Sequence, residues 1–169
     1  IASCLVGSEM CIRDSASSSG AESVSSKDLT VQLSESSGSD ATINYAITGT
    51  ATGSGTDFTL ANGTATISAG STSTTITIAG IVDDSLDEVN ETVIVTLSNP
   101  SNANPGSTLV HTYTITDNDS APVVDFNSTS SSGAESTSSS ALTVDLSAAS
   151  GQNVTCLLYT SDAADDMQC

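Results

Sequence analysis

The stretch Leu29-Thr30-Val31-Gln32-Leu33-Ser34 alternates apolar with polar residues, and it recurs as Leu142-Thr143-Val144-Asp145-Leu146-Ser147, an offset of 142 − 29 = 113 residues. Alternation with a period of two is the pattern of a β-strand buried on one face. Ser19-Gly20-Ala21-Glu22-Ser23 recurs at the same offset, as Ser132-Gly133-Ala134-Glu135-Ser136. Solenoid repeats span only about 20 to 50 residues. The longer period therefore predicts tandem copies of a whole domain.

Further alternating segments follow the first one. Along the face predicted to be buried, these segments carry Ile43, Tyr45 and Ile47; Ala65 and Ile67; Ile76 and Ile78; Val93, Val95 and Leu97; and Leu109, His111, Tyr113 and Ile115. Turn-forming residues such as Ala69-Gly70-Ser71 separate them, and no stretch carries a helical apolar stripe of useful length. About six or seven short strands in about a hundred residues are typical of a two-sheet antiparallel β-sandwich. The sequence thus predicts an all-β fold.

Composition excludes several partners. The 169 residues include 20 acidic and 2 basic ones, for a formal charge of −18. Nucleic acids and anionic membranes are bound by neutralising phosphates with Lys and Arg, so neither is expected as a partner. No run of about 18 apolar residues is present, and we expect no direct membrane insertion.

The four cysteines lie near the two ends, at positions 4, 11, 156 and 169. An even count in a secreted chain favours a disulfide framework, which is one interpretation of these termini. However, a DNA sequence that encodes Met10-Cys11-Ile12-Arg13-Asp14-Ser15 has a reverse complement that encodes Cys156-Leu157-Leu158-Tyr159-Thr160. We therefore interpret the termini as translated sequencing-adapter residues and exclude them from the fold.

This interpretation divides the chain into four parts. Residues 1–15 and 156–169 are adapter-derived, residues 16–121 form a module that lacks its first strand, and residues 122–155 begin a second, truncated module. Val123-Val124-Asp125-Phe126 opens the second copy, whereas the matching position in the first falls within the adapter. We expect an exposed sheet edge there, with some aggregation hazard. We also expect that the second module cannot close a core.

Acidic residues gather around the loops. Asp83-Asp84 is followed by Asp87, Glu88 and Glu91, Asp57 lies in a Gly-rich loop, and Asp117-Asn118-Asp119 follows the last strand. Like charges about 4 Å apart repel by about 4 kcal/mol at an effective dielectric near 20. Between residues 16 and 155 the sole basic residue is Lys27, so a cation is needed if these groups share one end of the sandwich. Oxygen ligands without a His or Cys cluster favour Ca²⁺ over Zn²⁺, copper or Mg²⁺.

The order of five motifs resembles the Calx-beta domain over residues 22–119. They are Gly55-Thr56-Asp57-Phe58, Gly63-Thr64-Ala65-Thr66-Ile67, Asp83-Asp84 with Glu88 and Glu91, Val95-Thr96-Leu97-Ser98, and Thr114-Ile115-Thr116-Asp117-Asn118-Asp119. The resemblance implies an immunoglobulin-like β-sandwich, as in exchanger regulatory domains and bacterial adhesin arrays. It implies Ca²⁺ ligands at Glu22, Asp57, Asp83, Asp84, Glu88, Glu91, Asp117, Asn118 and Asp119. Asn118 departs from the all-Asp triplet of exchanger domains, which implies fewer ions or weaker binding, nearer ~10⁻⁴ to 10⁻³ M.

Plainer interpretations apply to several of these residues. Any exposed acid can be only a solvated surface group, and for Asp87 we prefer that interpretation. His111 has no partner His, Cys or nucleophile pattern and is expected to be a packing residue. The sequence offers no catalytic elbow or phosphate loop, and we do not expect an enzyme.

Together these features predict a Ca²⁺-binding structural repeat of a large extracellular or cell-surface protein, of bacterial origin. Its partners would be calcium ions and neighbouring modules of the same chain. One alternative is an adhesin module that recognises sugar or protein, which should display an exposed aromatic patch. Another is an accessory module of a secreted hydrolase.

Overall fold

A computed structural model describes residues 9–12 and 15–158 of the chain. Within those residues eleven β-strands form: β1 Glu9–Ile12, β2 Ser17–Ala21, β3 Ser26–Leu33, β4 Ala41–Gly49, β5 Gly63–Ile67, β6 Ser73–Ala79, β7 Glu91–Ser101, β8 Asn104–Pro105, β9 Val110–Thr116, β10 Val124–Phe126 and β11 Val144–Leu146. Among the same residues, no helix is long and apolar enough to cross a membrane.

The chain divides into two compact units. Of the described residues, the first unit contains those up to Ser85 together with Val89–Asn118, and the second contains Leu86–Glu88 and those from Asp119 onward. The first unit is a sandwich of two sheets, with strand orders β6-β3-β1-β8 and β2-β9-β7-β4-β5. Its pairings are antiparallel except for β1 with β8 and β2 with β9. The predicted all-β sandwich is confirmed, with two parallel pairings added.

The core of the first unit lies between the two sheets and follows the predicted alternation. Leu29, Val31 and Leu33 of β3 are at most 4% exposed, and so are Val93 and Val95 of β7. Their polar neighbours in sequence point away from this core because successive side chains of a strand face opposite sides. Each fully buried Val, Leu or Ile contributes about 1.5–3 kcal/mol relative to an exposed one.

His111 lies in this core as a hydrogen-bonded residue. It is fully buried, with Nδ1 2.6 Å from the backbone oxygen of Ser15 and Nε2 2.9 Å from Oγ of Ser18. A backbone oxygen only accepts, so Nδ1 carries a proton and donates it. The imidazole thus ties the start of β2 to β9, which agrees with the structural role expected for it.

The exposed edge that we expected in the first module is not present, because β1 occupies it. Met10 of β1 pairs with Leu33 of β3, and Met10 and Cys11 are at most 1% exposed. A sheet edge offers backbone donors and acceptors that any extended apolar segment can satisfy, and Met10-Cys11-Ile12 is such a segment. Cys11 is disulfide-bonded. The adapter origin of residues 1–15 stays a prediction.

The second unit contains a two-stranded ribbon, formed by β10 and β11 in antiparallel pairing. Its apolar side chains are open to solvent: Val144 is 48% exposed, whereas Val31, the matching residue of the first copy, is fully buried. Phe126 is 50% exposed. Within its described residues this unit buries little apolar surface.

Candidate functional site

The sheet register brings acidic residues to one end of the first unit. The parallel strands β2 and β9 pair Ala21 with Thr116, so both strands finish at the same level. Glu22 and Asp117 are the next residues, and the Glu22 backbone N–H donates to the oxygen of Thr116 at 3.1 Å. Because the two strands run in the same direction, the acids that follow them must lie side by side.

Three carboxylates converge where the chain of the first unit ends, and we call them the three-carboxylate cluster: Glu22, Asp117 and Asp119. One oxygen of each lies within 4.8 Å of the others. Glu22 is 7% exposed, and the two aspartates are partly buried. Oxygens that bind one Ca²⁺ each lie about 2.3–2.6 Å from it, so they can be at most about 5 Å apart. The cluster meets that limit.

The electrostatics of Glu22 follow from its surroundings. Burial is the main cause that raises its pKa from 4.5 to about 7, followed by its side-chain hydrogen bond to Asp117. The charges of Asp117 and Asp84 raise this pKa further, while the backbone N–H of Asn118 lowers it. A hydrogen bond between two carboxyl groups needs a proton on one of them. The pair therefore holds a proton near neutral pH unless a cation replaces it.

Asn118 connects this cluster to the aspartate pair that follows β6. Its backbone N–H lies 3.3 Å from Oε1 of Glu22, and its side-chain amide donates to Oδ1 of Asp83 at 3.1 Å. Asp83 is therefore drawn to the same end of the sandwich, and Asp84 is close enough to act on the pKa of Glu22. The side-chain NH₂ of Asn118 is used here as a donor, and the role of Asn118 as a Ca²⁺ ligand, which the resemblance implied, stays a prediction.

Asp57 lies beside the same segment but is engaged in its own loop. Its Oδ2 accepts the backbone N–H of Thr52, and its N–H donates to the Thr52 oxygen at 3.0 Å. Its backbone oxygen accepts the N–H of Val82 at 3.1 Å, directly before Asp83. The carboxylate thus stabilises the loop, and the backbone contact places that loop next to the aspartate pair.

Glu88 and Glu91 lie outside the three-carboxylate cluster. Glu91 begins β7 opposite Ile115 of β9, so its backbone is part of the sheet. Glu88 belongs to the second unit, where its carboxylate lies against Gly151. Asp87, for which we preferred a surface role, accepts the N–H of Gly151 through its backbone oxygen at 3.1 Å.

One residue of the site was not singled out from the sequence as part of it. The side-chain oxygen of Asn90 accepts the backbone N–H of Asp117 at 3.1 Å and so fixes the start of the acidic triplet. In the sequence Asn90 is visible only as part of Asn90-Glu91-Thr92, which matches a glycosylation sequon. No pattern of its own would have distinguished it.

The cluster also fits a cation by its donor set. Carboxylate oxygens are the ligands that Ca²⁺ prefers. Oδ2 of Asp119 is buried and receives no hydrogen bond from the described part of the chain, although the residue as a whole interacts with its surroundings. Buried polar atoms are normally satisfied. The residues present therefore suit a bound divalent cation.

Solved structures with this fold include Calx domains. The apo form of the Calx CBD1 domain aligns with a TM-score of 0.59 and 23% identity, over 68% of this chain and 100% of that one. The calcium binding domain CBD12 of CALX1.1 aligns with a TM-score of 0.59 and 24% identity, over 71% of this chain and 50% of that one. The Calx CBD2 domain gives a TM-score of 0.57 at 17% identity, over 66% and 90%. At such identities these likenesses establish the fold.

The curated proteins contain no significant match to this sequence. The Calx-beta domain model matches residues 14–119 and again residues 117–166, and neither it nor the solved structures indicate a catalytic family. The second match runs past Thr155, where the sequence predicted that the second module stops. Because the model matches more than half of the residues, this chain belongs to the Calx-beta family.

Proposed function

We propose that this chain is a Ca²⁺-binding structural module and that Glu22, Asp117 and Asp119 hold the ion. The observation that carries the proposal is the convergence of three carboxylate oxygens within 4.8 Å at the end of two parallel strands. The calcium binding domain CBD12 of CALX1.1 has the same fold, which supports the proposal by analogy.

A bound Ca²⁺ supplies the positive charge that the acidic end needs at neutral pH. The residues of the chain supply the oxygen ligands and hold them in position. Glu22 gives up its proton, and Asp117 is held in place through its backbone by Asn90. Asp83 and Asp84 contribute negative charge nearby. Asp57, Glu88 and Glu91 stay candidate ligands from the sequence, and the cluster as described does not require them.

We further propose that the module belongs to an extracellular or cell-surface bacterial protein and that ion binding stiffens the junction with the next module. Ser120-Ala121-Pro122 follows Asp119 directly, so a cation held by that residue restrains the first linker position. This role needs no catalytic group and no second ligand.

The adhesin alternative predicts an exposed aromatic patch. In the described part of the first unit, Phe58 and Tyr113 are 2% and 1% exposed, and Tyr45 packs partly buried against the core. In the second unit Phe126 is 50% exposed, but a single aromatic side chain does not form a patch. The described residues therefore favour the structural module.

The test is calorimetric titration of the chain with Ca²⁺, with the melting temperature followed in parallel. A ligand that binds only the folded state stabilises it by about 2.7 kcal/mol at a hundred times its Kd. We expect Asp117→Asn to weaken binding at least tenfold. Asp125→Asn, which removes the same charge from an exposed position in the second unit, should leave binding unchanged.

Two results would contradict the proposal. One is an equal rise in melting temperature with NaCl of the same ionic strength, because it would indicate general screening. The other is an equal loss of binding in the two variants, because it would assign the effect to net charge.

A further inference from the structure

The two copies of the repeat present almost the same strand edge. The stretch that contains most of β3 and the one that contains β11 differ at one of six positions, where Gln32 in the first copy is replaced by Asp145 in the second. In each copy this strand pairs antiparallel with a short strand that precedes it in the chain, β1 or β10. We call the β3 edge that β1 occupies the acceptor edge.

The two short strands share no residue type at matching positions, yet they pair in the same way. Met10 lies opposite Leu33, and Val124 lies opposite Leu146, the equivalent of Leu33. The serine that follows this leucine makes the same two hydrogen bonds in both copies. Ser34 accepts the N–H of Glu9 through Oγ at 3.0 Å and donates its own N–H to the Glu9 oxygen at 2.9 Å.

Ser147 makes both contacts with Val123, at 2.9 Å each. β3 pairs with Met-Cys-Ile and β11 pairs with Val-Asp-Phe in the same register, so an edge of this kind recognises mainly backbone groups. It does not require a particular sequence.

We propose that the acceptor edge of one copy of this chain binds β10 of a second copy in place of β1. Because the residues of β11 match Val31 and Leu33 of β3 and differ only at Gln32, a strand that pairs with β11 also fits β3. On β11 the central residue Asp125 lies opposite Asp145, a like-charge pair. On β3 the opposite residue is Gln32, so that repulsion is absent.

The apolar side chains favour the same exchange. Val124, the counterpart of Met10, is only partly buried on the ribbon of the second unit, while Met10 on the acceptor edge is fully buried. Asp125 takes the position of Cys11, which is 1% exposed, so burial of its carboxylate opposes the exchange at that position. An isolated two-stranded ribbon is marginally stable, so releasing β10 from β11 costs little. The donor strand and the acceptor edge lie on different parts of the chain, so this contact is head-to-tail and extends with concentration.

The first experiment uses a fluorescent peptide of residues 121–128 and the full chain, in reducing buffer because Cys11 is disulfide-bonded. We expect saturable binding by fluorescence anisotropy. A control peptide with Val124→Asp and Phe126→Asp should bind at least tenfold more weakly. Excess peptide should also speed amide hydrogen exchange at residues 9–12, because β1 is displaced, and leave exchange at residues 29–33 unchanged.

The second experiment weakens the pairing of β1 with the acceptor edge by replacing Met10, the fully buried residue of β1. A full chain with Met10→Asp should bind the peptide at least tenfold more tightly than the wild type. It should also sediment as dimers and longer species as its concentration rises, and adding Phe126→Asp should return it to monomers. Equal binding of the control peptide, unchanged exchange at residues 9–12, or a folded Met10→Asp chain that stays monomeric would overturn the proposal. The hydrogen-exchange measurement uses the wild type, so it tests the displacement of β1 even if the Met10→Asp variant fails to fold.

Discussion

Replacing Glu22 by Gln should stabilise the calcium-free protein at pH 8 and weaken its binding of Ca²⁺. The pKa of Glu22 is raised from 4.5 to about 7, mainly by burial. Folding therefore favours the protonated form. The stabilisation is fully present below about pH 4.5 and is lost as the pH rises through about 7. The difference of about 2.5 between the two pKa values corresponds to at most about 3 kcal/mol, at about 1.36 kcal/mol per pKa unit.

Glutamine has nearly the same shape as glutamate and no charge to desolvate. The free energy of unfolding of the variant should therefore not fall as the pH rises through about 7. Urea unfolding of chelated protein should show a gain of up to about 3 kcal/mol for Glu22→Gln at pH 8 and almost none at pH 4. Calorimetry should show Ca²⁺ binding at least tenfold weaker, because one carboxylate is missing. Glu35→Gln removes an equal charge from an exposed site and should change neither quantity. Equal stability of wild type and Glu22→Gln at pH 8 would refute the reasoning.

Three further substitutions test other contacts. Gly20→Ala should lower the free energy of unfolding in urea by about 1–3 kcal/mol, because its methyl group would overlap the hydroxyl of the buried Tyr113. Gly38→Ala should leave it unchanged, because no atom lies within 4 Å of the added methyl group. Asn118→Asp should tighten Ca²⁺ binding in calorimetry while lowering the calcium-free melting temperature, since it loses the hydrogen bond to Asp83 and adds a like charge; a rise in both quantities would contradict this. His111→Leu should cost about 1–3 kcal/mol in urea, because two buried hydrogen bonds are lost; wild-type stability would show that they contribute nothing.

The alternating pattern predicted the strands that have one buried face, such as β3 and β7. It could not predict β2, Ser17–Ala21, which consists of small residues and is held by backbone pairing with β9. It also missed β1, because that strand was assigned to the excluded terminus. In both cases the strand forms because a neighbouring edge supplies hydrogen-bonding partners, and such edges leave little trace in hydrophobic periodicity.

The sequence predicted that Glu22 and Asp117 belong to one acidic site, and the structure brings them together with Asp119. The sequence did not reveal the individual roles of the acidic residues at this end of the sandwich. Asp57 uses its carboxylate to close a turn, and Glu88 packs within the second unit. A carboxylate that stabilises a loop and one that binds a cation look alike in sequence, since both occur where strands end.

The parallel pairing of β2 with β9 also has a mechanical consequence. A pull between the start of β2 and the end of β9 draws the two strands in opposite directions along their length. Five residue pairs, from Ser17 with Thr112 to Ala21 with Thr116, then resist in shear, and they share the load instead of opening one by one. Tension carried along an array of such modules would thus be resisted by this pairing, whose last pair lies directly before Glu22 and Asp117.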